Sequence, residues 1–171
     1  TITLFGLPNS MASYTWTGPA GYASSVSSTT IPVQDFNTLA SSSTSNSLPA
    51  GWYLAETGTS TRVNSSYTAS TGSDNAGDTY SFGSLTTPGD RAFGVLGSGT
   101  LKPIIGASYN NASGSVIRTI SISYTGEQWR LGALGRPDRL DFQYSTNATS
   151  LSTGTWNDVN ALDFNAPVTT G

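Results

Sequence analysis

Apolar and polar residues alternate in short stretches of this chain, and clusters of turn-forming residues separate the stretches. Residues 118–124 (RTISISY) place isoleucine and tyrosine on one side of an extended chain, and serine and threonine on the other. Residues 139–144 (RLDFQY) alternate in the same way. A period of two is typical of half-buried strands, whereas no window of ten or more residues keeps helical three-and-four spacing. The pattern predicts an all-β fold, an antiparallel β-sandwich or barrel.

Further strands are predicted where β-branched and aromatic residues cluster between Gly, Asn, Ser and Pro. Residues 40–47 (ASSSTSNS) and 23–30 (ASSVSSTT) are polar and of low complexity, which is typical of mobile linkers. We therefore predict a segment of strand and linker over residues 1–30 and a sandwich over residues 31–171. The additional predicted strands are 2–5, 13–16, 30–36, 51–56, 79–82, 91–96, 102–109, 128–131 and 155–159.

Composition excludes several classes of function. Only 10% of residues are charged and the net charge is −3, with Lys102 as the sole lysine, so no basic stripe is available for nucleic acid or an anionic membrane. With Cys 0 and His 0, the chain has no disulfide, thiolate or imidazole chemistry and no Ser-His-Asp triad. No apolar run approaches a membrane span, and the first residues lack the pattern of a signal peptide.

From residue 34 onward an ordered set of motifs resembles jelly-roll modules of large secreted and cell-surface bacterial proteins. The resemblance implies a jelly-roll-like β-sandwich akin to carbohydrate-binding modules, without a defined ligand. Residues 12–22 (ASYTWTGPAGY) are similar to the last strands of immunoglobulin-like or PKD-like repeats. The motifs are QDFN at 34–37, LPAGW at 48–52, GDTYSFG at 77–83, DRAFG at 90–94, YTGEQWRLG at 124–132, DRLDFQYS at 138–145 and ALDF at 161–164.

Modules of this kind usually continue past the ALDF motif with a hairpin and a closing strand, and this sequence stops at Gly171. The sandwich is thus either complete as it stands, or incomplete and completed by a strand from another segment or subunit. An open sheet edge pairs with any strand offered to it. The alternating residues Thr1, Ile2, Thr3, Leu4 and Phe5 form the strand that we expect to be offered, and head-to-tail exchange would build a filament.

Residues 124–145 hold many of the charged side chains of a chain that otherwise has few. Two interpretations of this stretch are open. Glu127, Arg130, Arg139, Asp141 and Gln143 can hold a sugar on one sheet face beside Trp129. Alternatively, Glu127 and Asp141 pair with Arg130 and Arg139 across neighbouring strands and fix the register, which the balance of charges favours. A glycosidase needs one carboxyl group with a raised pKa, and ion pairing lowers the pKa of an acid, so we do not expect an enzyme.

Two further groups of residues are candidate sites. Oxygen-rich Asp35, Asp74 and Asp78 are the ligands we would test first for a structural calcium ion, although aspartate in Gly-rich turns also bonds its own backbone. Aromatic residues grip sugar faces but more often fill cores; Trp52 and Trp129 are expected in the core, and Trp16 and Tyr22 in an exposed patch.

The sequence therefore predicts a non-catalytic, extracellular or cell-surface β-sandwich module that acts in adhesion or glycan contact. The contact candidates are Trp16, Tyr22, Trp129 and Gln143. The alternative is a structural subunit that polymerises by strand exchange into an extracellular filament, with copies of itself as the partner. Calcium is the one cofactor we expect, and neither nucleic acid nor membrane insertion is expected.

Overall fold

The computed structural model describes residues 2–5, 14–17, 33–111 and 119–171, with the backbone alone for 2–5, 14–17, 119 and 121. The regular elements of these residues are β-strands and one 3₁₀ turn, Asn160–Leu162. No helix in this part of the chain has the length and apolar character needed to cross a membrane. In chain order the strands are β1 (Ile2–Phe5), β2 (Tyr14–Thr17), β3 (Thr44–Ser45), β4 (Trp52–Gly58), β5 (Tyr67–Ser70), β6 (Asp78–Gly83), β7 (Arg91–Leu96), β8 (Leu101–Tyr109), β9 (Thr119–Ile122), β10 (Arg139–Leu140), β11 (Gln143–Ser145), β12 (Asn157–Asp158) and β13 (Phe164–Asn165).

The strands form two larger sheets and two separate strand pairs. The five-stranded sheet has the order β12-β11-β1-β8-β4, and the four-stranded sheet has the order β3-β5-β6-β7. β2 pairs with β9, and β10 pairs with β13. Every pairing is antiparallel except that of β5 with β6. The prediction of an all-β, antiparallel sandwich is confirmed.

The core lies between the two larger sheets. Trp52 comes from β4 and Phe93 from β7, and both rings pack against Phe36, which lies outside any strand. The ring centroids of Phe36 and Trp52 are 4.6 Å apart, at an interplanar angle of 81°. Phe36 has a φ of 59°, which is uncommon for an aromatic residue. Its N–H donates to Gln34 Oε1 at 2.8 Å, so the motif at 34–37 stabilises the turn that inserts this ring into the core.

β1 occupies the centre of the five-stranded sheet. Thr3 is paired with Ser108 of β8 on one side and with Ser145 of β11 on the other, in antiparallel register. β8 and β11 are not neighbours, so β1 joins the two halves of the sheet. In the structure, residues 2–5 therefore pair within their own chain, while Thr1 lies outside the described residues. β1 and β2 both pair with strands from the predicted sandwich segment.

Several strand predictions are wrong in detail. Residues 128–131 are not a strand, nor are residues 33–36 of the predicted strand 30–36. The predicted strand 139–144 is two short strands that lie in different sheets, because β10 pairs with β13 whereas β11 pairs with β1 and β12. β5 was not predicted, since its residues (YTAS) carry little apolar alternation.

The polar segment 40–47 is not a free linker. Its residues 44–45 form β3, which pairs with β5 at the edge of the smaller sheet. The N–H of Ala40 donates to the hydroxyl of Tyr67 at 3.0 Å, and that hydroxyl donates to the carbonyl of Ser47 at 2.9 Å. Because Tyr67 is a core residue, these bonds tie the segment to the sandwich.

Candidate functional site

A groove of about 780 Å³ runs along the sandwich beside the segment that follows β9. Its walls come from the end of β7, the beginning of β8, residues 127–130 and residues 136–143, together with Trp156, Phe164 and Ala166. Apolar side chains such as Val95 and Ile104 line it beside a large share of the chain's charged residues. The charged side chains in the lining are Asp74, Lys102, Glu127, Arg130, Arg136, Asp138, Arg139 and Asp141.

Trp129 is held in a fixed orientation at this groove. Its indole stacks on the ring of Phe82 with centroids 6.2 Å apart and planes 8° apart. Its Nε1 donates to Glu127 Oε2 at 2.8 Å. Trp129 packs on a small cluster on the smaller sheet and not in the main core, where Trp52 lies as expected. Trp129 is therefore half-buried with a ring that also lines the groove.

The arginines in the groove are oriented mainly by neighbouring carboxylates. Arg136 binds Asp138 through two nitrogens, Nε to Oδ1 at 2.7 Å and Nη2 to Oδ2 at 3.1 Å. Arg139 forms ion pairs with Asp141 and with Asp163, the latter between Nη1 and Oδ2 at 3.2 Å. The Arg139–Asp141 pair lies within one segment, so the partner of Arg139 across a strand pair is Asp163 and not Asp141. These bonds fix the planes of two guanidinium groups at the groove surface.

The other predicted pair, Glu127 with Arg130, takes a different form. Glu127 accepts the indole N–H described above, and Arg130 Nη1 donates to the carbonyl of Ser73 at 3.3 Å. Gln128 Oε1 accepts a hydrogen bond from the N–H of Val168 at 2.8 Å, and Gln128 Nε2 donates to the carbonyl of Val168 at 2.8 Å. The segment 127–130 is thus stabilised by side-chain bonds to other segments in place of a ladder of strand hydrogen bonds.

The structure places two of the four predicted glycan-contact residues in the groove, together with the four residues of the predicted ion pairs. Trp129, Gln143, Glu127, Arg130, Arg139 and Asp141 all line the groove. Trp16 lies in β2, where the backbone alone is described, and Tyr22 lies outside the described residues. The contribution of these last two residues stays a prediction.

Sequence reasoning missed Trp156 as a member of this site. Trp156 is half-buried, lines the groove, and its Nε1 donates to the carbonyl of Thr153 at 2.9 Å. It comes just before β12, in which Asp158 pairs with Gln143 of β11. Its place at the groove depends on this pairing, and the local pattern of residues 155–159 does not reveal it.

The three aspartates predicted for calcium do not meet as one group. Asp35 Oδ1 accepts the N–H of Asn37 at 3.0 Å, which is the bond of a turn to its own backbone. Asp74 Oδ2 accepts from the hydroxyl of Ser70 at 2.6 Å. Asp78 is buried and forms an ion pair with Arg62. A calcium ion stays an untested expectation.

Among the described residues, one set of three carboxylates with atoms within 4.8 Å of one another is Asp141, Asp158 and Asp163. Arg139 contacts two of these three. Asp163, whose side chain is 3% exposed, also accepts a hydrogen bond from the N–H of Phe142 through Oδ1 at 2.9 Å. Asp141 and Asp163 therefore belong to an ion-pair network around Arg139, which connects the segment before β11 to the segment before β13.

A second buried acidic group lies between the two sheets and is not part of the groove lining. Glu56 of β4 accepts from the N–H and the hydroxyl of Thr79 through Oε1, at 2.8 and 2.9 Å, and from the N–H of Asn64 through Oε2 at 3.0 Å. Burial raises the pKa of Glu56, and the neighbouring Asp78 adds to the rise. Hydrogen bonds from the smaller sheet thus reach an acid of the larger sheet and join the two layers.

Comparison with known proteins identifies no relative. No protein-family model, no curated protein and no solved structure matches the chain.

Proposed function

We propose that this chain is a non-catalytic, extracellular β-sandwich module that contacts glycans through the groove. The observation that carries the proposal is the presence of Trp129 and Trp156 in one groove with a set of oriented planar polar groups. Sugars present apolar faces and a rim of hydroxyls, and aromatic rings with fixed hydrogen-bonding groups complement both.

The dimensions and the rigidity of the groove support this assignment. Its volume of about 780 Å³ lies within the range of about 300–1,000 Å³ that is usual for small-ligand sites. Arg136 and Arg139 are each held by a carboxylate, and Trp129 is held by Phe82 and Glu127. Groups that are already oriented lose little conformational freedom when a ligand binds.

The acidic side chains of the groove support binding without hydrolysis. Asp138 and Asp141 form ion pairs with arginine, and Glu127 accepts the indole N–H. A glycosidase uses a pair of carboxyl groups that both face the scissile bond, whereas these three are engaged by neighbouring side chains. Function outside the cell or at its surface is proposed from the hydroxyl-rich composition with few charges and from the resemblance to secreted bacterial modules.

A glycan array, run with calcium and with chelator, tests the proposal. We expect the wild type to bind a defined group of glycans, and Trp156→Ala to lose about tenfold in affinity, which corresponds to about 1.4 kcal/mol. Tyr53→Ala is the matched control, since Tyr53 is 50% exposed on β4 and is not part of the groove lining. Absence of glycan binding in both conditions, or equal losses in the two variants, would contradict the proposal.

A second candidate function rests on the position of β1. A strand from the predicted linker segment fills the space between β8 and β11 and bonds to both. The same strand of another copy would make the same backbone bonds, which is the basis of strand exchange. The candidate is a subunit that exchanges residues 1–5 with a neighbouring copy and builds an extracellular filament.

Size-exclusion chromatography and negative-stain microscopy separate the two functions. A filament subunit elutes far above the 17.7 kDa of the monomer and shows fibres. A single monomer peak from protein that contains residues 1–5 would overturn the filament candidate and leave the glycan proposal unaffected.

A further inference from the structure

Two carboxyl groups from different sheets meet inside the sandwich. Glu56 lies on β4 of the larger sheet and is 9% exposed, and Asp78 lies on β6 of the smaller sheet and is 2% exposed. The N–H of Thr79 donates to both acids, to Glu56 Oε1 at 2.8 Å and to Asp78 Oδ1 at 2.9 Å. Because one N–H reaches both oxygens, the two carboxyl groups are neighbours across the layers.

Among the described residues, one cation pairs with these two acids. Arg62 forms an ion pair with Asp78, and none of the ion pairs within 4.0 Å in this part of the chain includes Glu56. The pairing with Arg62 favours the charged form of Asp78. A charge on Glu56 would then be a second negative charge in a buried place, and neighbouring carboxylates oppose each other's ionisation.

The other titratable groups around Glu56 do not add a cation in the described part of the structure. On β6, Tyr80 is buried, and burial raises the pKa of its hydroxyl, so it stays neutral in weak acid. On β8, Pro103 is the residue opposite Glu56, and the neighbouring Lys102 has an exposed side chain that alternation directs to the other face of the sheet. Asp74, which precedes β6, is itself an acid.

Hydrogen bonds and burial act on Glu56 in opposite directions. The N–H and hydroxyl of Thr79 donate to Oε1, and the N–H of Asn64 donates to Oε2, which favours the carboxylate. Burial outweighs these bonds and raises the pKa of Glu56 above 4.5, and Asp78 adds to the rise. Removal from water is therefore the main reason that the neutral acid is favoured.

We propose that Glu56 and Asp78 hold one proton between them in weakly acidic solution, and that this proton stabilises the contact between the two sheets. With the proton bound, the pair carries one negative charge, which Arg62 balances. Without the proton, a second negative charge lies buried between β4 and β6, which is unfavourable. The pair is not part of the groove lining, so the proposal is independent of glycan binding.

The direction of the pH dependence follows from the two states of Glu56. The folded state binds the proton more tightly than the unfolded state, in which the acid has its ordinary pKa of 4.5. The added stability is therefore fully present below pH 4.5 and is lost as the pH rises through the folded pKa. Between these two values, one proton changes the folding equilibrium constant by up to about tenfold per pH unit.

Selective labelling gives a direct test, because the glutamates of the sequence are Glu56 and Glu127. The full chain, labelled with ¹³C at the side-chain carboxyl of glutamate, is titrated by NMR from acid to neutral pH, and Glu56→Gln assigns the signals. We expect the Glu56 signal to titrate with a midpoint above 4.5. Asp78→Asn should lower this midpoint and Arg62→Met should raise it, because they remove the neighbouring negative charge and its cation respectively.

Urea unfolding over the same pH range tests the link to stability. Relative to Glu56→Gln, the wild type should lose stability as the pH rises above 4.5, by up to about tenfold in the folding equilibrium constant per pH unit. The control is Asp90→Asn, which removes an exposed acid outside the pair and should follow the pH dependence of the wild type.

A Glu56 midpoint at or below 4.5 overturns the proposal, and so does a midpoint that Asp78→Asn leaves unchanged. Parallel stability curves for wild type and Glu56→Gln would show that the proton is not linked to folding, which also overturns it. If Glu56→Gln or Asp78→Asn does not fold, Glu127→Gln assigns the signals and Arg62→Met decides: a raised Glu56 midpoint supports the shared proton, and an unchanged or lowered midpoint overturns it.

Discussion

We expect the substitution Arg62→Met to lower the free energy of unfolding, because Arg62 is the cation that pairs with the buried acid Asp78 beside Glu56. The side chain of Asp78 is 3% exposed and pairs with Arg62, whose side chain is 46% exposed. Arg62 Nε also donates to the carbonyl of Gly77 at 3.3 Å. The change Arg62→Met keeps much of the aliphatic stem and leaves Asp78 buried without its cation, next to Glu56.

The size of the effect follows from the unequal burial of the two partners. Loss of one partner from a fully buried ion pair costs about 3–5 kcal/mol, whereas an exposed pair contributes about 0–1 kcal/mol. Water reaches the Arg62 side of this pair and replaces part of the lost interaction, so we expect a loss of about 2 kcal/mol near neutral pH. The matched control is Arg136→Met, because both side chains of the Arg136–Asp138 pair are about half exposed; its expected loss is below about 1 kcal/mol.

The loss should depend on pH in a defined direction. Burial, reinforced by Asp78, raises the pKa of Glu56 above its ordinary value of 4.5, so the folded state holds this proton more tightly than the unfolded state. Stability that comes from the protonated acid is therefore present below the unfolded pKa and declines as the pH rises through the folded pKa. Without Arg62 the charge of Asp78 acts more strongly on Glu56, so the variant should recover part of its stability as the pH falls toward 4.5.

Urea unfolding followed by tryptophan fluorescence measures these differences. With a slope of about 2 kcal/mol/M, a loss of 2 kcal/mol moves the midpoint down by about 1 M urea. We expect this shift near neutral pH and a smaller one at about pH 5. Equal shifts in the Arg62 and Arg136 variants, or an Arg62 shift that grows as the pH falls, would refute the reasoning.

Three other substitutions test separate features. Gly72→Ala should cost more than about 2 kcal/mol in urea unfolding, because Gly72 has a φ of +87° and a Cβ there would overlap the carbonyl group of Trp129. Asp163→Ala should cost about 2–3 kcal/mol by the same assay, because it leaves the N–H of Phe142 without its acceptor and removes a carboxylate from Arg139. Leu4→Pro should destabilise the protein by about 3 kcal/mol and broaden its chromatographic peak, because proline has no N–H for the central strand β1.

Each of these three substitutions has a control variant or a result that would contradict its argument. Gly97→Ala should change stability little, since nothing lies within 4 Å of a Cβ at Gly97, and an effect equal to that of Gly72→Ala would contradict the steric argument. Asp158→Ala removes an exposed member of the same acidic group; a loss as large as that of Asp163→Ala would show that burial is not the cause. A wild-type melting curve in Leu4→Pro would show that β1 is dispensable to the sheet.

The fold class and several strands follow from local pattern, because strand alternation is a property of neighbouring residues. β4, β6, β7 and β8 lie close to their predicted positions, since each combines apolar residues with flanking turn residues. β5, and the division of residues 139–145 into two strands of different sheets, did not follow from local pattern. A strand exists only where a partner of matching register is present. Residues 128–131 have strand-like composition, yet they form no strand, and the side chains of Gln128 and Arg130 donate to backbone carbonyls of the same segment and of distant segments.

The candidate site divides in the same way. Trp129, Arg139, Asp141 and Gln143 stood out because charged and aromatic residues are concentrated in one stretch, and the structure places them in one groove. Trp156 joins them through the pairing of β11 with β12. Asp163 joins their network because β10 pairs with β13. Neither pairing can be read from spacing along the chain.

The sequence by itself determined that this is a β-sandwich with few charges, without cysteine or histidine chemistry, and with one charge-dense stretch. Composition and alternation depend only on the residues and their neighbours in sequence, so they are already present in the unfolded chain. Only the tertiary structure decided that β1 lies between β8 and β11, that Arg91 is buried at the start of β7, and that two tryptophans line one groove. These features depend on which distant segments meet, and burial and charge pairing are set by those contacts.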